Sequence, residues 1–310
     1  MNSMRRYVDL QVNGYGGVDF NSDDLQEDDL HRACQALERD GVACCLATIL
    51  TDNLAAMSRR IRRIADLREK DPLAKRIIAG LHVEGPFLSP KPGYRGAHPA
   101  DSICPAVPAA ADLLLDAGCG KIRLFTLAPE MDPDASVTRL LTKHGVIVSA
   151  GHTDASMDQL CRGIDAGLKM FTHLGNGCPI RGMDRHDNII QRVLSLARKN
   201  HITPTFIADG VHIPFFALSN YLHIAGIERS IIVSDAMSAA GLGPGRYRLS
   251  RWEVEVTEEL AAWSPDRSHL IGSALSMKQA EQNLVMMELG SYWSDLLRNN
   301  AAAILGIDPG

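Results

Sequence analysis

The sequence predicts one α/β domain over residues 1–310, a (β/α)8 TIM barrel. Three observations predict it. Apolar strand-like runs alternate with helix-length amphipathic segments from end to end, which favours a parallel sheet over segregated α and β parts. Eight such runs can be counted, the number a closed barrel requires. Four of them lead into a residue able to bind metal or move protons: Glu84 in GLHVEGPF, His152 in VSAGHTDA, His173 in MFTHLGN and Asp235 in IIVSDA. The C-terminal ends of the strands carry the chemistry in such barrels.

Tyr7–Val12 reads as the first strand, residues 28–40 as a helix, Val42–Leu50 as the second strand and residues 53–68 as an Arg-rich amphipathic helix. Residues 77–83 form the third strand and deliver Glu84. The segment after it, GPFLSPKPGYRGAHPADS, is too rich in Pro and Gly for regular helix, and loops of that length in compact domains are usually functional. Ile122–Leu127 and residues 146–149, 168–172, 203–208 and 231–234 complete the eight strands; their near-continuous apolar character fits burial on both faces. Beyond them, GLGPGRYRLSRWEVEVTEE reads as a turn and one strand of alternating character, and residues 273–289 and 292–305 as closing helices. Arg59, Arg60, Arg62 and Arg63 form a charge run at helical spacing, read as a solvated helix face rather than an anion site.

The chain has 310 residues, 45% hydrophobic and 22% charged, enough for a large core without disulfides. A net charge of −5 argues against a nucleic-acid groove or an anionic membrane surface, which leaves small soluble partners. The seven cysteines are odd in number and form no Cys-x-x-Cys pair, so they read as buried thiols in a reducing compartment. The N-terminal segment lacks an apolar h-region, and no apolar run approaches the ~20 residues that span a bilayer. A cytoplasmic protein is predicted.

Glu84, His152 and His173 together supply the three-ligand set that catalytic divalent ions commonly take, with a position left open. Asp235 suits the proton acceptor that would return a proton to a leaving amine. Taken singly, a strand-end histidine is more often a satisfied core residue, and Asp235 could be a helix N-cap. Four such residues at the same end of successive strands are less easily explained that way. His98, His212 and His186 sit in loops at the same rim, where an imidazole could bind sugar hydroxyls or polarise a carbonyl; the bland alternative is a loop-bracing hydrogen bond, strongest for His186.

The strings DLQVNGYGGVDFN, GLHVEGPFLSPKPGYRGAHP, SAGHTDAS, FTHLGNGCP, FIADGVHIP and IIVSDAMSAAG resemble, in order, the signatures of N-acetylglucosamine-6-phosphate deacetylases in the amidohydrolase superfamily. The resemblance implies Glu84, His152 and His173 as metal ligands and Asp235 as general acid/base. It implies that His212 polarises the acetamide carbonyl or contacts substrate, and that Ala97, His98, Asn176 and Gly177 hold the sugar and its phosphate. One divalent ion per chain follows, zinc first, with iron, manganese and cobalt accepting the same donors. The implied partner is an amino sugar phosphate, and the implied assembly a homodimer.

Three departures from the family pattern qualify the transfer. Gln11 and Asn13 stand where many amidohydrolases have His-x-His for a second metal, and amides are poor ligands, so one tightly held metal is expected. Asn176, Gly177 and Cys178 replace the usual Asn-Ala-Met, and Asp184 falls near the place of a phosphate-binding arginine, with Arg181 and Arg185 flanking it. The family's small β-sandwich, built from both chain ends, is expected to be absent or vestigial. The competing functions are a deacetylase of an unphosphorylated or galacto amino sugar or of another small amide, and a non-catalytic sugar-phosphate sensor or scaffold.

Overall fold

The eight core strands are β1 (Tyr7–Val12), β2 (Val42–Leu50), β3 (Ile78–Glu84), β4 (Ile122–Leu127), β5 (Ile147–Ala150), β6 (Leu168–Phe171), β7 (Thr203–Ile207) and β8 (Ile231–Val233). They pair in chain order, all parallel, in a computed structural model that describes residues 7–179, 181–249, 252–258, 260–263 and 270–308. The first and last strands meet: Val12 bridges Ala236 in parallel, and the Asn13 N–H donates to the Ala236 carbonyl at 2.7 Å. This contact brings the two ends of the sheet together.

Helices α1 (Glu27–Arg39), α2 (Leu54–Lys70), α3 (Pro72–Ile77), α4 (Pro108–Gly118), α5 (Ser136–Lys143), α6 (Met157–Asp165), α7 (Ile189–Arg198) and α8 (Phe215–Ala225) fill the crossovers. Several starts are written locally. Asn53 Oδ1 accepts from the Ala56 N–H at 3.0 Å, and Ser156 with Gln159 forms a reciprocal capping box. One hydrophobic cluster joins the strands to these helices, with Phe20, Phe87, Phe125 and Phe206 fully buried in it.

Arg59, Arg62 and Arg63 on α2 are exposed, as expected of a solvated face, and Arg60 is part-buried. Arg60 spans Asp23 and Asp52, Arg63 donates to the Leu25 carbonyl, and Arg62 reaches the Asp116 carbonyl. The run fastens α2 to its neighbours. Of the cysteines, Cys34, Cys44 and Cys45 are buried as expected, but Cys119 and Cys161 are exposed; all seven are free.

After β8 the structure departs from a single alternating strand. Residues 245–273 carry a four-stranded antiparallel sheet, β9 (Gly245–Leu249), β10 (Trp252–Val256), β11 (Ala261–Trp263) and β12 (Leu270–Ser273). Val254, Val256 and Ala262 pack with Met237, Ala239 and Ala274 in a small second cluster. The closing helix α9 (Met277–Met286) therefore starts later than position 273, where Ser276 caps it by accepting from the Gln279 N–H. Residues 290–305 are not one regular helix: a 3-10 turn (Gly290–Tyr292) and a π turn (Asp295–Asn299) precede α10 (Asn300–Leu305). Among the described residues no helix is long and apolar enough to cross a membrane.

Candidate active site

Each of the four strand-end residues lies on or just beyond its strand, at one mouth of the barrel. Glu84 is the last residue of β3, and His152, His173 and Asp235 each follow their strand by two residues. The last three have φ of +48°, +34° and +48°, in the left-handed region that side chains other than Gly enter at a cost. Such strain persists only where surrounding contacts over-determine the conformation.

Glu84, His152 and His173 are buried, at 1–6% exposure, and Asp235 is half-buried. Glu84 Oε1 is 2.9 Å from His173 Nε2 and 3.2 Å from His152 Nε2. Its other oxygen accepts a hydrogen bond from Gln11 Nε2 at 3.1 Å. Burial raises the carboxyl's pKa, but the hydrogen bonds and charges of the two imidazoles outweigh it and hold Glu84 well below the usual carboxylate range. His173 is the complement: burial disfavours its cation, and Glu84 more than compensates, so its pKa is raised.

His152 is clamped from outside. Its Nδ1–H donates to the Tyr94 carbonyl at 2.8 Å, which turns Nε2 toward Glu84 Oε1 at 3.2 Å. Two glycines crowd the same ring: a Cβ at Gly177 would fall 2.8 Å from His152 Nδ1, and one at Gly96 2.9 Å from Cε1. Both also have positive φ, so two rim loops need glycine there twice over.

Glu84, His98 and His152 offer ligand atoms that all lie within 4.8 Å of one another, and His173 reaches the same Glu84 oxygen. A carboxylate oxygen and imidazole nitrogens this close must share either protons or a cation. The donor set, imidazole nitrogen with one carboxylate, suits zinc, iron, manganese or cobalt.

Asp235 is held by Asn13, whose Nδ2–H donates to its Oδ1 at 2.8 Å. Burial pushes its pKa up, with the Glu84 charge adding to the shift against the His173 cation. His212 is held by a residue that the sequence reading passed over. Asp209 Oδ2 accepts from His212 Nδ1–H at 2.5 Å, and Asp209 Oδ1 accepts the backbone N–H groups of Val211 and His212. Burial works against the His212 cation, but Asp209 raises its pKa overall. The Asp-Gly-x-His spacing in FIADGVHIP is the signal that could have found it, since Asp-Gly favours this backbone-hugging turn.

The predicted substrate residues are placed unevenly. His98 is buried within the central cluster rather than overhanging it; burial and the neighbouring His152 charge push its pKa down to about 3. Ala97 beside it is exposed. Asn176 and Gly177 form a turn directly after His173, with the Asn176 N–H donating to the His173 carbonyl at 2.9 Å. Arg181 and Arg185 are exposed further along that loop, outside the hydrogen-bonded cluster. Asp184 accepts from the backbone N–H groups of His186 and Asp187, so it braces the loop.

Beneath the rim, the barrel interior is polar. His82, two residues before Glu84 and so on the same strand face, contacts Thr126 Oγ1 at 2.8 Å and Thr48 Oγ1 at 3.5 Å. Thr126 meets Thr172, which meets Ser149, each at 2.7 Å. Burial brings the His82 pKa down to about 4, so it is neutral within this network.

A closed parallel barrel with a buried carboxylate–imidazole cluster and a strand-end aspartate at one mouth defines a hydrolase of the amidohydrolase class. No family model matches the chain. It is 33% identical over 277 residues to the N-acetylglucosamine-6-phosphate deacetylase of Bos taurus, covering 87% of this chain and 66% of that one. It is 30% identical over 280 residues to the N-acetylgalactosamine-6-phosphate deacetylase of Escherichia coli O157:H7, covering 90% and 71%. A solved N-acetyl-D-glucosamine-6-phosphate deacetylase of Mycobacterium smegmatis, an aspartate-to-alanine mutant in complex with N-acetyl-D-glucosamine-6-phosphate, superposes with a TM-score of 0.84 at 30% identity. That match covers 97% of this chain and 77% of the other. The chain belongs to the N-acetylglucosamine-6-phosphate deacetylase family. It spans about two thirds of the length of the first curated relatives it matches.

Proposed function

We propose that the protein removes the N-acetyl group of N-acetylglucosamine 6-phosphate, giving glucosamine 6-phosphate and acetate. The observation that supports it most is the meeting of Glu84, His152 and His173 around one carboxylate oxygen, at the mouth where Asp235 and the Asp209–His212 pair also lie. Glu84, His152 and His173 would hold one divalent ion, zinc before iron, manganese or cobalt. When bound, the ion supplies Lewis-acid polarisation and a lowered pKa for water.

The chain's own residues divide the remaining work. Gln11 fixes one Glu84 oxygen and so directs the other toward the imidazoles. Asp235, oriented by Asn13, accepts a proton during attack and returns it to the departing amine. His212, whose imidazolium form Asp209 favours, donates from Nε2–H to the acetamide carbonyl and stabilises negative charge as it develops there. Ala97, His98, Asn176 and Gly177 border the sugar, and Arg181 and Arg185 are the cations for the phosphate.

Acetate release from phosphorylated and free N-acetylglucosamine, with bound metal quantified, tests the reading; equal kcat/KM for the two sugars would remove the phosphate from it. Arg181→Ala with Arg185→Ala is expected to lower kcat/KM for the phosphate ester about tenfold or more while leaving the free sugar unaffected. A second reading, preference for the galacto epimer, is favoured by the matched galactosamine-6-phosphate relative. Assaying both epimers separates the two.

Gly177→Ala would restore the family's alanine and is expected to harm this chain. The methyl group would press on His152 Nδ1 and its bond to Tyr94, so metal affinity should fall by about 10–100-fold, as it does when an outer partner of a ligand is disturbed. Chelator competition measures it.

The single hydrophobic cluster spanning barrel and helices supports reading 1–310 as one catalytic domain, with the sheet over 245–273 as the vestige of the family's β-sandwich. Cytoplasmic location and a homodimer complete the proposal; light scattering tests the dimer.

A further inference from the structure

The loop between β3 and α4 turns sharply at residues 95–98. The His98 N–H donates to the Arg95 carbonyl at 3.1 Å, and an Arg95 guanidinium nitrogen donates back to the His98 carbonyl at 3.0 Å. This double clasp leaves Ala97 outside and turns the His98 ring inward, where its Nε2 stops 3.3 Å from His152 Nε2. The two rings meet edge to face, with centroids 4.4 Å apart, so neither stacks on the other.

The contact can be a hydrogen bond from His98 Nε2–H to the lone pair on His152. A single proton on His152 Nε2 can serve either Glu84 Oε1 at 3.2 Å or His98 Nε2 at 3.3 Å, not both. One cation shared by all three atoms satisfies every contact at once. The spacings agree: ligand atoms around a tetrahedral ion with ~2.0–2.1 Å bonds lie about 3.3–3.4 Å apart. The His98–His152 pair is at 3.3 Å and the Glu84–His152 pair at 3.2 Å, while the Glu84–His173 pair is closer, at 2.9 Å.

We propose that His98 is a fourth, displaceable metal ligand that closes the centre in the absence of substrate, alongside Glu84, His152 and His173. A catalytic ion with three protein ligands keeps a position for substrate, whereas four ligands close it. His98 must therefore leave when the acetamide binds, and its place on a loop rather than a strand lets it do so. Once released, it is free to take a sugar hydroxyl. The proposal rests on the metal reading above.

X-ray absorption of the zinc-loaded wild-type protein counts imidazoles directly. Three in the substrate-free protein are expected, falling to two when N-acetylglucosamine 6-phosphate is held on Asp235→Asn; two in the substrate-free protein would overturn the proposal. Independently, the cobalt-loaded wild type should show the intense visible bands of four-coordination. His98→Gln should weaken those bands and lower zinc affinity at least about tenfold. Unchanged bands and affinity, with acetate release still present in the wild type, would refute the role of His98 alone. Zinc uptake that is undiminished in Glu84→Gln would instead place the metal elsewhere, and both readings would fall.

Discussion

Asp235→Asn is expected to lower kcat by about 10² to 10⁴ while leaving metal content unchanged and the metal-free fold at least as stable as wild type. The loss follows from the proton: the amide cannot accept one from the nucleophile or return one to the amine. The stability follows from two observations. Asp235 sits at φ +48°, a conformation that Asn tolerates readily, and it is a half-buried carboxyl whose pKa is raised by desolvation and by the Glu84 charge. A raised carboxyl pKa means that the folded state binds the proton more tightly than the unfolded chain. Stability from this group is present at low pH and lost as pH rises through the folded value. The asparagine variant escapes that loss. Denaturation of the metal-free proteins at pH 5 and pH 8, beside acetate release, would show activity and stability moving in opposite directions; a large loss of stability at pH 8 would contradict the argument.

Asp9→Asn is expected to give the largest pH-dependent change in stability outside the site itself. Asp9 Oδ1 accepts the backbone N–H groups of Gln11 and Ser234, each at 3.2 Å, and the residue is 1% exposed. Burial raises its pKa from 3.8 to about 7 despite those bonds. Wild-type stability should therefore decline between pH 4 and pH 7, by up to about 4 kcal/mol if the whole shift is expressed. Asparagine keeps the accepting oxygen and carries no charge. Its advantage over wild type should be near zero at pH 4 and largest at pH 8 by urea denaturation. A difference independent of pH would show that Asp9 is ionised at little cost.

The barrel was legible because most strands are apolar runs, and four of them lead into Glu84, His152, His173 and Asp235. Tyr7–Val12, Val42–Leu50 and Ile122–Leu127 coincide with the strands observed, and Glu84, His152 and His173 do converge. What stayed hidden is directional. A pattern of hydrophobicity does not report a left-handed φ at His152, nor that Gln11 donates to Glu84 rather than replacing a ligand. His98 read as a rim residue because a loop histidine is usually solvated; the Arg95 clasp that buries it depends on backbone geometry. The sheet over 245–273 was underread because its strands are short and mixed in polarity, so only one passed as a strand.

The hydrogen-bonded layer under the rim has a consequence for folding. Apolar barrel interiors tolerate a strand sliding by one position, since one branched side chain replaces another. Here a one-residue slip of β3 would carry His82 and Glu84 to the helix side and bring Leu81 and Val83 inward. Thr126 would lose its imidazole, and His82 would be desolvated without a partner. The chain Thr48–His82–Thr126–Thr172–Ser149 thus acts as a key to register, accepting one alignment of neighbouring strands and penalising the next. The same alignment sets Glu84 at the mouth, so correct assembly of the barrel and correct assembly of the centre are one event.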